Sequence, residues 1–236
     1  MVTLDLSKRA SLLLYGGAVL FVIIILWPVF MIASQIDGTI EEQLLLLSSD
    51  STLYKINFFI ASLIAPVFLF VLLMLALFVE TGRKTSVLNI LGAVFLIPYL
   101  ILVSISYTSQ YVLLPSLLEE NNIETARLWL FDNPDSITYY LNQLGYLFLA
   151  LAMCAIGWKY LFEKGLFKIA GILLWLSGIL SVIAFAGLAA GSSTINAATF
   201  LSGFLILPFA VVIVLIGWRM RKKGCKNSKH TRYDGA

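Results

Sequence analysis

Six stretches of this chain, residues 10–34, 56–79, 85–114, 136–158, 169–195 and 196–218, contain no Asp, Glu, Lys or Arg. Each exceeds the ~20 residues an α-helix needs to cross a bilayer. The stretches are apolar all round, whereas the strands of a membrane barrel would alternate in polarity over about ten residues. Charged residues make up 12% of the chain and the mean hydropathy is +0.95, far from a soluble domain, in which about a quarter of residues are charged. The pattern predicts an all-α, polytopic integral membrane protein. Six transmembrane helices form one compact bundle over residues 1–218, followed by a basic tail over 219–236.

Of the 16 Lys and Arg, all but Lys55 and Arg127 fall on one side of a six-span thread. They flank the first stretch (Lys8, Arg9), the second turn (Arg83, Lys84), the fourth (Lys159, Lys164, Lys168) and the tail (Arg219 to Arg232). Asp37, Glu41, Glu42, Asp50, Glu119, Glu120, Glu124, Asp132 and Asp135 lie on the other side. By the positive-inside rule both termini are expected in the cytoplasm, in a cytoplasmic membrane of bacterial or archaeal type. The first stretch is too long for a signal-peptide core and is read as a span. Cys154 and Cys225 fall at different depths, which rules out a disulfide between them.

The loops carry their own signals. Thr39, followed three residues later by Glu42, is a capping-box pattern that opens a short helix with a greasy face. Such a helix packs over the bundle at the membrane surface or acts as a lid over an outer opening. Residues 123–131 read as about two amphipathic turns, and Asn133-Pro134-Asp135-Ser136 as a turn into the fourth span. The tight turn at 80–84 makes a hairpin of the second and third spans. In the fifth span Ser177, Ser181, Ala184, Gly187 and Gly191 form a small-residue seam that invites a close helix neighbour, either Ala198 and Ser202 of the sixth span or a partner helix.

Several chemistries are excluded by composition. The only histidine, His230, sits in the tail, and the spans hold no ionisable acid or base away from their ends. Proton relays, voltage sensors and intramembrane His-metal sites need such groups. There is no glycine-rich phosphate loop and no nucleophile elbow, so no catalytic residue, metal or cofactor is expected.

The strongest positive feature is a pair of polar stripes at helical spacing: Ser104, Tyr107, Thr108 and Tyr111 in the third span, and Tyr139, Asn142, Gln143 and Tyr146 in the fourth. In an antiparallel pair at equal depth they oppose one another, Tyr111 on Tyr139, Thr108 on Asn142, Tyr107 on Gln143 and Ser104 on Tyr146. These groups either hydrogen-bond across the helix pair or line an outer-half pocket for membrane lipid, a hydrophobic molecule or a small neutral ligand. The reading favoured is a non-catalytic binding protein, with an accessory or sensory subunit as one role for it. The rivals are a small transporter, with Asn89 as the polar group below the stripe, and a membrane enzyme acting on lipid through loop acids. Nothing points to nucleic acid, and the basic tail suits anionic lipid or an acidic partner.

Overall fold

The computed structural model describes residues 6–78, 86–191 and 198–233. Among them the regular structure is helical: α1 (Leu6–Ala33), α2 (Ile40–Ser49), α3 (Thr52–Leu73), α4 (Val87–Tyr111), α5 (Leu113–Glu119), α6 (Ile123–Trp129), α7 (Ile137–Leu161), α8 (Leu166–Ala189) and α9 (Ala198–Tyr233). Six segments, Ser7–Ala33, Thr52–Leu77, Val87–Glu119, Ile137–Leu161, Leu166–Ala189 and Leu201–Lys222, are long and apolar enough to cross a membrane. The architecture is that of a polytopic membrane protein. The turn expected at 80–84 and the link at 192–194 lie outside the described residues.

The six long helices stand in a ring in chain order: α1 packs on α3, α3 on α4, α4 on α7, α7 on α8, α8 on α9, and α9 closes on α1. Neighbours are antiparallel, because contacts that rise along one helix descend along the next. Gly92 meets Ile156 while Gly145 meets Val103, and Gly17 meets Val214 while Gly217 meets Leu14. Large side chains fill the middle of the ring. Phe68 of α3 meets Phe209 of α9 edge-on at 5.8 Å, and the Tyr160 hydroxyl of α7 donates to the Leu75 carbonyl at 2.6 Å.

The α4–α7 seam has a seven-residue period on both helices. Asn89, Gly92, Leu96, Tyr99, Val103, Ser106 and Gln110 are buried on α4, and Thr138, Asn142, Gly145, Leu149, Ala152 and Ile156 on α7. That spacing of three and four keeps one face turned to an antiparallel neighbour. Glycines and apolar side chains fill the middle of this face, with Asn89, Ser106, Gln110, Thr138 and Asn142 towards its ends, and on α4 it is offset by one residue from the predicted Ser104–Tyr111 stripe. The register also differs. Equal depth would oppose Gly145 to Ile105, whereas a Cβ on Gly145 would meet Val103.

Elsewhere the seams use small residues. Ser177 and Ser181 of α8 share the Ser202 hydroxyl of α9 at 3.0 and 2.6 Å. Gly191 lies beyond the end of α8 at φ +66, with open space where a Cβ would stand. It stops the helix, as glycine in the left-handed region commonly does, and it does not extend the packing seam. The expected contact of the Ala198 side chain lies outside the described side chains.

At the far end of α3 the helix widens into a π-turn, Met74–Phe78. Its released carbonyls are taken by side chains: Asn89 Nδ2 donates to the Ala76 oxygen at 2.8 Å, and Tyr160 bonds Leu75. The uncharged stretch ends at Trp218 while the helix α9 continues to Tyr233, and Lys222 Nζ lies 3.7 Å from the Trp218 ring centre.

Candidate functional site

The short helices α2, α5 and α6 gather at one end of the ring. α2 begins where Thr39 predicted: Glu42 N–H donates to Thr39 Oγ1 at 3.3 Å, and Thr39 N–H donates to Glu42 Oε2 at 2.7 Å. Gly38 before it has φ +120, a conformation that L side chains rarely adopt. Leu44 and Leu47 of α2 are buried against the bundle, and Glu41 at its first turn pairs with Arg127 of α6 at 3.2 Å. Both charges are exposed, so this pair contributes at most about 1 kcal/mol. α5 follows α4 after Val112 alone. Pro115 sits in its first turn, where the missing N–H has no intrahelical partner in any case.

The organising group at this end is Gln110, fully buried at 0% exposure. Its Nε2 donates to the Trp129 carbonyl at 2.7 Å and to Ser109 Oγ at 2.9 Å. Its Oε1 accepts from the Tyr54 hydroxyl at 2.9 Å and from the Phe131 N–H at 3.0 Å. One carboxamide thus ties α3 and α4 to the segment between α6 and α7. Thr138 Oγ1 adds a second donor to the Trp129 carbonyl at 2.9 Å, and Ser106 Oγ donates to the Thr138 carbonyl at 3.0 Å. The loop residues Phe131 and Asp132 are held by this network against the end of α3.

Between them and α1 lies a cavity of about 570 Å³, within the range of small-molecule pockets. Its apolar wall comes from Trp27, Met31, Phe58, Ala61, Tyr107 and Phe131; its polar wall comes from Ser34, Gln35, Asp37, Gln43, Asn57 and Asp132. Phe131 packs on Phe58 at 5.1 Å and on Tyr107 at 5.8 Å. Asn57 is 5% exposed, and its Oδ1 has no hydrogen-bond partner. The buried Oε1 of Gln43 has none either, although Gln43 Nε2 donates to the Gly38 carbonyl at 3.3 Å. Leaving a buried polar atom unpaired costs about 1–3 kcal/mol, and the protein itself supplies neither oxygen with a donor.

Asp132, by contrast, is an exposed residue at the edge of the cavity. Its side chain keeps a solvent-facing edge, yet desolvation by the surrounding protein raises its pKa above the usual 3.8. A carboxyl raised in the folded state binds its proton more tightly there than in the unfolded chain. Stability from this group is therefore fully present below pH 3.8 and is lost as pH rises through the folded value. Asp132→Asn is expected to raise the thermal midpoint slightly at pH 7 relative to the parent and to leave it unchanged at pH 3.5. Unfolding scans at the two pH values check this; an equal shift at both would mean that the carboxyl is not penalised by burial.

The predicted stripe residues are distributed among different tasks. Tyr107 lines the cavity, and its hydroxyl lies 3.1 Å from that of Tyr146. Tyr146 contacts Tyr99 edge-on at 6.0 Å, and the Tyr99 hydroxyl and Asn142 Oδ1 are buried without a partner. Tyr111 turns to α3, 3.4 Å from Ser62 Oγ. Thr108 bonds the Ser104 carbonyl of its own helix at 2.7 Å. Tyr139 contacts Phe131, and Gln143 is half-buried on α7. Tyr107 thus meets Tyr146, where equal depth would set it against Gln143.

Sequence reasoning passed over Gln110, Ser106, Ser109 and Thr138, which make up the bonded seam, and did not group Asn57 with Gln43 and Asp132. Gln110 could have been singled out as a carboxamide inside an otherwise uncharged span. The cavity residues could not, because they come from five separate segments. Among the described residues no group of three or more His, Cys, Asp or Glu side chains could hold a metal ion. Comparison with protein-family models, with curated proteins and with solved structures finds no match for the chain.

Proposed function

We propose that this is a non-catalytic integral membrane protein that binds a lipid-like or small ligand in the cavity beneath α2. The observation that carries the reading is Asn57, a carboxamide 95% withdrawn from solvent that faces a cavity of about 570 Å³ with no partner of its own. Asn142 Oδ1 and the Tyr99 hydroxyl are unpaired as well, but within the helix seam; Asn57 differs from them in lining the cavity. The distribution of Lys and Arg supports a topology with both termini in the cytoplasm, which puts α2, α5, α6 and the cavity on the outer side. There α2 acts as a lid, with the Arg127–Glu41 pair linking it to α6.

The predicted polar groups supply one wall through Tyr107, while the ligand site proper moves from the α4–α7 seam to the space between α1, α2 and α3. Large buried side chains, among them Phe68, Leu72, Leu96 and Phe209, occupy the ring below it. Asn89, the one polar group considered for a permeation path, is engaged with the π-turn. These features support a pocket closed from below.

The test is Asn57→Leu, which is nearly isosteric. Removal of an unpaired buried amide is expected to raise the thermal midpoint of the ligand-free protein by the equivalent of about 1–2 kcal/mol. It is also expected to eliminate small adducts seen by native mass spectrometry after gentle extraction. A lower midpoint with adducts unchanged would return Asn57 to a packing role.

A further inference from the structure

The cavity beneath α2 has a chemical sign as well as a shape. No Lys or Arg is among the residues that line it, whereas Asp37 and Asp132 both do. Gln43 donates its Nε2 to Gly38, which fixes the orientation of the amide and leaves Oε1 as a buried, unpaired acceptor. Asn57 Oδ1 is a second one. The nearby Arg127 is paired with Glu41, and neither is among the residues that line the cavity. The rings of Phe58, Tyr107 and Phe131 pack on one another at 5.1 to 6.0 Å, and aromatic faces attract cations. A ligand that satisfies this wall brings N–H donors and positive charge, and a phosphate or carboxylate would find no counter-charge in it.

We propose that the cavity takes an ammonium group, with N–H donors directed to Gln43 and Asn57, its charge facing Asp132 and Asp37, and its apolar body against Trp27 and Met31. This rests on the binding reading above and goes beyond it, since it names a cationic amine where the sequence pointed to a neutral molecule. The amine belongs either to an aminolipid headgroup or to a water-borne amphiphile; the recognition chemistry is the same.

The experiment uses the full chain in dodecyl maltoside micelles, which contain no amine, with phenethylammonium, phenethyl alcohol and phenylacetate as calorimetric probes of one shape and three charges. Phenethylammonium is expected to bind about tenfold tighter than the alcohol or better, with phenylacetate weakest. In Asp132→Asn that advantage is expected to fall to less than about threefold while the affinity for the alcohol persists. Doping the micelles with phosphatidylethanolamine identifies the source: suppression of phenethylammonium binding assigns the amine to a lipid, and unaltered binding assigns it to the aqueous phase. Equal affinity for alcohol and ammonium, or a preference for phenylacetate, would overturn the cationic assignment and leave the pocket standing. No binding of any probe would remove both.

Discussion

Replacing Gln110 with leucine is expected to lower the thermal midpoint by roughly 10 °C. The substitution keeps the bulk but removes the acceptor of Tyr54 Oη and the Phe131 N–H together with a donor to the Trp129 carbonyl. Each buried group left unpaired costs about 1–3 kcal/mol, and the set acts as one network, so a loss of about 3–5 kcal/mol follows. For a chain of this size that corresponds to about 2–4 °C per kcal/mol. Gln143→Leu is the matched control. It changes the same residue type to the same product on α7, where the side chain is only half-buried, and is expected to shift stability by no more than ~0.5 kcal/mol. Unfolding scans of the two variants in the same detergent compare them directly, and similar losses in both would show that Gln110 is not the clasp of this end.

The second large effect is expected at the α7–α8 crossing. A Cβ on Gly171 would stand 2.6 Å from the Tyr160 carbonyl carbon and 2.8 Å from the Leu161 nitrogen. These are backbone atoms and cannot turn aside as a side chain can. Gly171→Ala must therefore push the two helices apart, and the lost packing is expected to cost about 2–4 kcal/mol. Gly203→Ala on α9 is the counterpart, since nothing lies within 4 Å of the added carbon. There the gain in helix propensity is expected to be neutral to about 1 kcal/mol stabilising. Opposite signs for two glycine-to-alanine changes would place the close approach at Gly171; equal signs would contradict it.

The six long helices were legible because an uncharged run of more than about twenty residues has few alternatives in water or lipid. The start of α2 was legible for a local reason, the reciprocal bonds of Thr39 and Glu42, and so was the Asn133 turn, in which Asn133 Oδ1 accepts from the Asp135 N–H at 3.1 Å. The phase of the α4–α7 contact was not. In a membrane-spanning pair, polar side chains can bond within their own helix, as Thr108 does, while glycines decide how close the backbones come. The Ser104–Tyr111 stripe and the Gly92–Gln110 face share the same spacing and differ by one position, so periodicity alone could not choose between them. The cavity was illegible for a different reason. Trp27, Gln43, Asn57, Tyr107 and Asp132 are each unremarkable in their own segment, and only the closing of the ring brings them together.

A density map of the full chain at high resolution in a lipid nanodisc tests ligand binding in this cavity most directly. Ligand binding requires density within hydrogen-bond distance of both Asn57 Oδ1 and Gln43 Oε1, enclosed by Phe58, Phe131 and Asp132. An empty, collapsed cavity in which Asn57 and Gln43 bond each other would contradict it.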